Sequence, residues 1–393
     1  MSEFRQKGQG YCEQMKKALI VSTVAATIGL FNGANIEVLK SLGYEVTVAT
    51  HFVEGGNWSF DKAQRYKHAL VEDGVEAIDI SFSRSPFSIS NINAFRQIKK
   101  LITNGSYSIV HCQTPIAAAI TRVACRKPRK SGLRVFYTAH GFHFYKGAPI
   151  QNWLIYFPIE WLCSFWTDTL ITINHEDYNC AHKHLHAKQT AYVPGVGINV
   201  QRFQNTVVDR ATKLQEIGIP ADYMLLLSVG ELNKNKNHEM VIRTLAEVQR
   251  PDIHYVIAGK GPLEEHLTVI AKKLGVADRV HILGFRPDVA ELYKAADVFV
   301  HPSFREGLPV AVMEAMASGL PCVVSKIRGN VDLINEHDGN LFSPHSVATC
   351  KESLEKTLYD SIAAKSMGNY NMEKVRQFSS EKVITQMQEL YSS

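Results

Sequence analysis

Apolar residues follow two spacings along this chain, and the two alternate. Short β-branched runs such as ALIVST (18–23), EVTVAT (45–50) and RVFYTA (134–139), with others at 107–112, 169–173 and 190–194, are largely apolar. Parallel strands buried on both faces read this way. A second series occupies 223–230, 253–259, 279–284, 297–302 and 321–325, and helical spacing fills the segments between strands. Strand and helix alternation predicts doubly wound parallel α/β sheets. Two series predict two domains, with ligands in the crevice outside the C-terminal strand ends. Between them PGVGINVQRF (194–203) lacks periodicity and is the expected linker and hinge. The boundaries this gives are an extension over 1–15, a first domain over 16–195, a second over 196–370, and a C-terminal helix over 371–393 placed to pack back on the first domain.

Composition narrows the class. A length of 393 residues agrees with more than one core, and 45% hydrophobic with 21% charged residues describes a folded enzyme, not a disordered chain. The net charge of +5 suits an anionic substrate or membrane surface but is too weak to imply nucleic acid. Seven scattered cysteines without a C-x-x-C pair argue against a disulfide framework or zinc ribbon and fit a reducing cytoplasm. The opening MSEFRQKGQGYCEQMKK lacks the apolar core of a signal peptide, and Met15, just ahead of the first strand, is an alternative start.

No run reaches the roughly 20 apolar residues that span a bilayer. NWLIYFPIEWLCSFW (152–166), interrupted by Pro158 and Glu160, carries three of the four tryptophans. Two readings stay open for it, a large helix buried on a sheet and an aromatic belt at a membrane interface. The basic loop RKPRKSGLR (126–134) is likewise open between solvated loop and contact with anionic lipid.

Several segments carry chemistry. In FREGLPVAVMEAMASGLP (304–321), Pro309 fits the first position of a helix that Gly319 and Pro321 stop. That helix is apolar all round, so it is buried, and Glu314 becomes a carboxylate in a core that needs a ligand or an internal ion pair. The free N–H groups of Gly307 to Val310 suit a phosphate. His140 and Gly141 follow a strand in VFYTAHGFHF, where a histidine serves a phosphate, a sugar hydroxyl or only the core edge, and His143 is the weaker candidate. In SVGELNKNKNHEMVIRTL (228–245), Lys234 and Lys236 sit on the loop after Gly230, ahead of a helix that Asn237 or His238 opens. AGKGP (258–262) is an incomplete glycine loop, weak evidence for NAD, and the P-loop pattern is absent. No two aspartates lie two residues apart, so no such pair holds a divalent metal on a diphosphate; lysine, arginine, histidine and helix dipoles are left to carry that charge. His182 and His186 can share a helix face, but no acidic or thiolate partner is in register for zinc.

Together AHG (139–141), GELNKNK (230–236), AGKGP (258–262), LGF (283–285) and E-G-L-P-V…E (306–314) resemble the family 4 glycosyltransferases of the two-domain GT-B fold, from about Lys16 onward. TAHGFHFYKGAPIQNWLIYFPIEWL is similar to the bacterial exopolysaccharide and capsule enzymes. The resemblance implies two Rossmann-like domains facing across a cleft, the first on the acceptor side and the second binding the nucleotide sugar. By it Glu314 holds the ribose hydroxyls, Glu306 the donor sugar, and the N–H groups around Gly307, Leu308 and Val310 face sugar and diphosphate. It further implies that Lys236 stabilises the leaving diphosphate, that His140 reaches across to sugar or phosphate, and that Phe285 and Arg286 frame the base. Gly230 and Gly259 belong to the donor loops, and Gly29, Asn32 and Gly33 to a loop (27–35) near the acceptor and phosphates. One departure stands out, because many relatives carry arginine where this chain has Glu231, which shifts the load to Lys236 or recruits Lys234 or Lys260. The implied activity is retaining, metal-independent transfer from a nucleotide sugar, with UDP as the expected nucleotide, to a lipid-linked saccharide at the inner membrane face. A nucleotide-sugar 2-epimerase and a non-catalytic membrane scaffold are the alternatives.

Overall fold

The computed structural model describes residues 16–86, 88–335, 337 and 339–393, so the 1–15 extension and the Met15 start lie outside the described residues. The first sheet comprises β1 (Lys16–Val24), β2 (Tyr44–His51), β3 (Glu76–Asp79), β4 (Ile109–Gln113), β5 (Arg134–Ala139), β6 (Thr169–Thr172) and β7 (Gln189–Tyr192). The second comprises β8 (Met224–Val229), β9 (Ile253–Ala258), β10 (Val280–Gly284), β11 (Val298–His301), β12 (Cys322–Ser325) and β13 (Gly339–Phe342). Every strand pair is parallel, in the orders β3-β2-β1-β4-β5-β6-β7 and β10-β9-β8-β11-β12-β13. Two strands absent from the sequence reading, β3 and β13, are edge-ward and short. Their four residues carry Glu76, Asp79 and Asn340, because such strands are not obliged to be apolar on both faces.

In each sheet the chain reverses direction at one place, between β1 and β4 and between β8 and β11. Loops leaving the C-terminal ends on either side of a reversal diverge and open a crevice. Those four loops, with the one after β5, hold most of the polar residues described below.

Helices cover both faces of the first sheet. Leu19, Val21 and Val110 pack with the Ser90–Gly105 and Pro115–Cys125 helices, while Ala18, Ile20 and Phe136 face the opposite layer. Val383, Met387 and Tyr391 of the final helix, Ser380–Ser392, join that opposite layer. Residues 371–393 are not one helix, since Ser361–Lys374 ends before a 3-10 turn at Val375–Phe378. The expected aperiodic linker also contains a short helix, Val200–Gln204, started by the Asn199 side chain accepting from the Arg202 N–H at 2.9 Å. The two passages of chain between the sheets lie side by side, with Ile198 N–H donating to Phe378 O and Ser380 N–H to Ile198 O. Gly197 is required there, because a Cβ would sit 2.7 Å from Ser380 Cα.

The aromatic segment forms one helix, Ile150–Ser164, that continues through Pro158. Glu160 does not interrupt it but faces inward. There Arg122 Nη2 donates to it at 2.7 Å and Tyr137 Oη at 2.9 Å, fixing the helix on the sheet. Trp153 and Phe157 pack on Phe144, whereas Ile150, Leu154, Ile159, Trp161 and Leu162 lie exposed on the outer face. The inner face is thus buried on the sheet, as the first of the two readings has it, and the outer face is exposed.

Candidate active site

The helix bearing Glu314 runs Val310–Ala317, and Pro309 precedes it as the N-cap with extended backbone (φ −76°, ψ 117°). The expectation of Pro309 as first helical residue is corrected by one position. The shift leaves the first-turn N–H groups ahead of the first intrahelical bond, Met313 N–H to Pro309 O. At the other end Leu320 N–H bonds to Ala315 O and Gly319 N–H to Met316 O, with Gly319 at φ 82°, the left-handed stop that glycine permits.

Glu314 is partly buried in this helix, and Tyr293 Oη lies 3.1 Å from its Oε2. Among the described residues no lysine or arginine is ion-paired with it. Burial raises its pKa to about 6, against smaller opposing effects of Tyr293 and the charge of Arg202. Glu306 behaves in the opposite way. Burial alone would raise its pKa, but the hydrogen bond from His301 and the charge of Lys236 hold it well below the ordinary carboxylate range. Lys236 Nζ lies 2.7 Å and His301 Nε2 3.2 Å from the same oxygen, Glu306 Oε1.

These three side chains come from both sides of the reversal between β8 and β11. Lys236 ends the 3-10 turn after β8, its N–H donating to Asn233 Oδ1 at 3.0 Å. His301 closes β11. The two loops are stitched together by Phe304 N–H to Asn235 O and by Asn235 Nδ2 to Arg305 O, both 2.8 Å. His301 was missed by sequence reasoning, although the signal that picks out His140, a histidine closing a strand, applies equally to it.

The second sheet's site meets the first at Gly307, where a Cβ would lie 2.3 Å from the His140 carbonyl oxygen. Only glycine permits that approach. Arg328, also missed, reaches across the same junction: its Nη1 donates to Asp177 Oδ1 at 2.8 Å and to Phe142 O at 3.0 Å, and its Nε to Glu306 O at 3.2 Å. Asp177 Oδ2 in turn accepts from Phe142 N–H at 3.0 Å. The turn after His140 is thus clamped against the Glu306 loop, and a cavity of about 250 Å³ remains between them, lined by His140, His143, Asn235, Arg305, Glu306 and Arg328.

Residues 209–374 match the family described as Glycosyl transferases group 1, and residues 34–174 match Glycosyl transferase 4-like. EpsD of Bacillus subtilis, named provisionally as a glycosyltransferase, is 35% identical over 384 residues, covering 96% of this chain and 97% of its own. The chain belongs to the family 4 glycosyltransferases of the GT-B fold. The UDP-Gal:alpha-D-GlcNAc-diphosphoundecaprenol alpha-1,3-galactosyltransferase of Escherichia coli is 28% identical over 331 residues, covering 82% of this chain and 84% of that one. Anabaena HepE, solved in complex with UDP and glucose, superposes with a TM-score of 0.75 at 18% identity over 96% of this chain and 99% of that one.

Other expected site residues of this glycosyltransferase fall in varied places. Gly230 adjoins the Lys236 stem, 3.4 Å from where its Cβ would be, and Gly259 packs so tightly on Gly230 that a Cβ would meet its carbonyl at 1.8 Å. Gly259 therefore packs behind the loop that follows Gly230. Leu308 is buried in a cluster that also takes in Ile173, the residue after β6, and Val310 is half-buried at the helix start. Phe285 is 73% exposed, but the Arg286 guanidinium is committed to Asp288 and Glu216. Of the two residues expected to frame the base, Phe285 presents an exposed ring and Arg286 is held in ion pairs.

Residues 27–35 are not a loop but the junction of two helices, Ala25–Phe31 and Gly33–Ser41. Gly29 is there because a Cβ would strike the Trp58 ring at 2.1 Å; Gly33 has open space around it. Asn32, between the helices, is fully buried and joined through Gln113 to His140. Glu231 is exposed. His182 and His186 do not share a helix face: the helix ends at His184, His182 stacks on Tyr178, and His186 stacks on Phe165.

Proposed function

We propose that this glycosyltransferase transfers a sugar from a UDP-sugar to a lipid-linked saccharide, with retention of anomeric configuration and without a bound metal, in exopolysaccharide or capsule synthesis at the inner face of the plasma membrane. The observation that carries the reading is the convergence of Lys236, His301 and Glu306 beside a free helix N-terminus, directly across Gly307 from His140. The Escherichia coli UDP-Gal:alpha-D-GlcNAc-diphosphoundecaprenol galactosyltransferase and the HepE complex with UDP make UDP and a diphosphoundecaprenol-linked acceptor the chemistry to test first.

In this scheme Glu314 accepts from the ribose hydroxyls and Glu306 from a hydroxyl of the donor sugar. Lys236 then exchanges its internal partner for the diphosphate, and together with the first-turn N–H groups stabilises the charge that builds on the leaving oxygen. The acceptor hydroxyl attacks from the face the diphosphate leaves, and a diphosphate oxygen takes its proton. The cavity between the clamped loops excludes water and limits donor hydrolysis.

The exposed outer face of the Ile150–Ser164 helix supports the membrane part. It continues into a groove of about 540 Å³ bordered by Ile89, Ile92, Val123, Ile159 and Leu162, with exposed Arg126, Lys127 and Lys130 on the segment that follows Val123. An apolar face flanked by cations suits an anionic bilayer surface.

Incubation with a panel of nucleotide sugars, read by thermal shift and then by transfer to a prenyl-diphosphate saccharide, tests the reading. A UDP-sugar should raise Tm and transfer with retained configuration. Appearance of an epimer without acceptor would favour the 2-epimerase, and binding without transfer to any acceptor would favour the scaffold.

A further inference from the structure

We propose that Asn32 and Gln113 are positioning residues that fix the tautomer of His140, so that Nε2 carries the ring proton and Nδ1 is left to accept a hydrogen bond from a substrate hydroxyl. The kinetic part of this rests on the transferase reading; the tautomer itself does not.

The argument starts from a group that can only accept, the Thr27 backbone carbonyl. Asn32 Nδ2 lies 3.2 Å from Thr27 O, so that nitrogen is the donor and Asn32 Oδ1 points the other way. There Oδ1 accepts from Asn35 Nδ2 at 3.1 Å and from Gln113 Nε2. With its nitrogen turned to Asn32, the Gln113 amide presents Oε1 to His140 Nε2 at 2.6 Å. An amide oxygen only accepts, so His140 Nε2 donates. Flipping the Asn32 amide would set Asn32 Oδ1 against Thr27 O, and flipping that of Gln113 would set Gln113 Oε1 against Asn32 Oδ1. Asn32 and Gln113 are 0% and 1% exposed, so water cannot relieve either clash. Backbone geometry pins the chain as well. Thr114, next to Gln113, is a non-glycine residue at φ 64°, and its Oγ1 accepts from Thr23 N–H at 3.0 Å.

The neighbouring ionisable groups leave this arrangement undisturbed. His111 has both ring nitrogens engaged, Nδ1 with Tyr391 Oη at 2.6 Å and Nε2 with Thr138 Oγ1 at 2.8 Å. Arg328, packed near Gly141, is committed to Asp177. Among the described residues no carboxylate pairs with His140, and burial lowers its pKa to about 4, so the ring is neutral at physiological pH. A neutral imidazole has one N–H, and here Gln113 takes it. His140 therefore does not donate to the leaving diphosphate, as the sequence alone suggested it could. Its free position accepts from a hydroxyl of the donor sugar or the acceptor, and charge stabilisation falls to Lys236 and the helix N-terminus.

The test uses the full chain labelled with ¹⁵N-histidine, with His140 assigned by difference from a His140→Gln variant. Long-range ¹H–¹⁵N spectra should show the Nε2–H tautomer, unchanged between about pH 5.5 and 8. Gln113→Met should give mixed tautomers and lower kcat by about tenfold or more, with donor KM within about twofold. Gln113→Glu should raise the His140 pKa into the measured range, placing a proton on Nδ1 and adding an acidic limb to the pH profile of kcat, measured at saturating donor, that the wild type lacks. An Nδ1–H tautomer in the wild type, or a Gln113→Met variant with wild-type kcat, would overturn the proposal. Failure of the wild type to transfer from any donor strikes the transferase reading instead, because the tautomer is read without substrate.

Discussion

The two carboxylates of the proposed donor site, Glu306 and Glu314, are tuned in opposite directions, and each leaves a measurable trace. Burial holds the Glu314 pKa at about 6, above its ordinary 4.5, so the folded protein takes up this proton more readily than the unfolded chain does. Its contribution is favourable at low pH and is lost as pH rises through about 6, a penalty of about 2 kcal/mol at pH 8. Glu314→Gln should therefore raise Tm at pH 8 and change it little at pH 5, while raising donor KM about tenfold or more through loss of a charged hydrogen bond to the ribose. In the wild type, donor KM should climb as pH falls through about 6. Glu306, held ionised by His301 and Lys236, needs no such window. Lys236→Ala should lower kcat by about 100- to 1,000-fold, more than it raises donor KM, since its charge is needed most as the diphosphate departs. Single-turnover kinetics with saturating donor separates the two effects. At this scale Glu306, Glu314, Lys236 and His140 are legible in the sequence because each stands in a run whose local pattern exposes it. Gln113 and Arg328 are not, because only their long-range partners give them a role, whereas His301 carries the strand-end signal and was passed over.

Among the elements, the Ile150–Ser164 helix has two apolar faces with different fates. Its inner face is anchored by the buried Arg122–Glu160 pair and by edge-on and tilted aromatic contacts with Phe144; its outer face is exposed, with Trp161 touching Phe165 and His186. A helix apolar on both sides cannot be assigned to core or membrane from composition, because aromatic side chains serve either. Each aliphatic side chain inserted into a bilayer contributes about 1.5–3 kcal/mol. Leu154→Asp with Ile159→Asp, both at exposed positions, should cut flotation with anionic vesicles more than tenfold and leave Tm nearly unchanged. Salt should weaken binding of the wild type to anionic vesicles, through Arg126, Lys127 and Lys130. Equal flotation with neutral and anionic vesicles would count against the cationic part.

The whole molecule depends on a few contacts between its two sheets. Arg328 and Asp177, 4% and 1% exposed at their side chains, form an ion pair across the junction, and Arg328 also fixes the turn after His140. Burial keeps the Asp177 pKa raised even beside a guanidinium, so removal of Arg328 alone leaves a costly charge. Arg328→Ala should destabilise by about 3–5 kcal/mol or release the domains from each other. Denaturant melts together with a larger radius of gyration in solution scattering distinguish the two. Adding Asp177→Ala should recover part of the loss, the sign of direct coupling. The return of the Ser380–Ser392 helix to the first sheet belongs to this scale, with Tyr391 buried between His111 and Phe136.

By itself the sequence determined the two-sheet α/β class, most strands, and the acidic helix with its glycine stop, because side-chain periodicity and backbone chemistry act over a few residues. It also carried the family, through motifs whose spacing within each loop is local. The edge strands escaped it, since four residues with polar members give no periodic signal. Tertiary structure alone decided that residues 27–35 form the junction of two helices, that Arg286 is paired with Asp288 and Glu216, and that Lys236 rests on Glu306. It also decided which way the His140 proton points. Hydrogen-bond direction is set by partners far apart in the chain, and no local pattern records it.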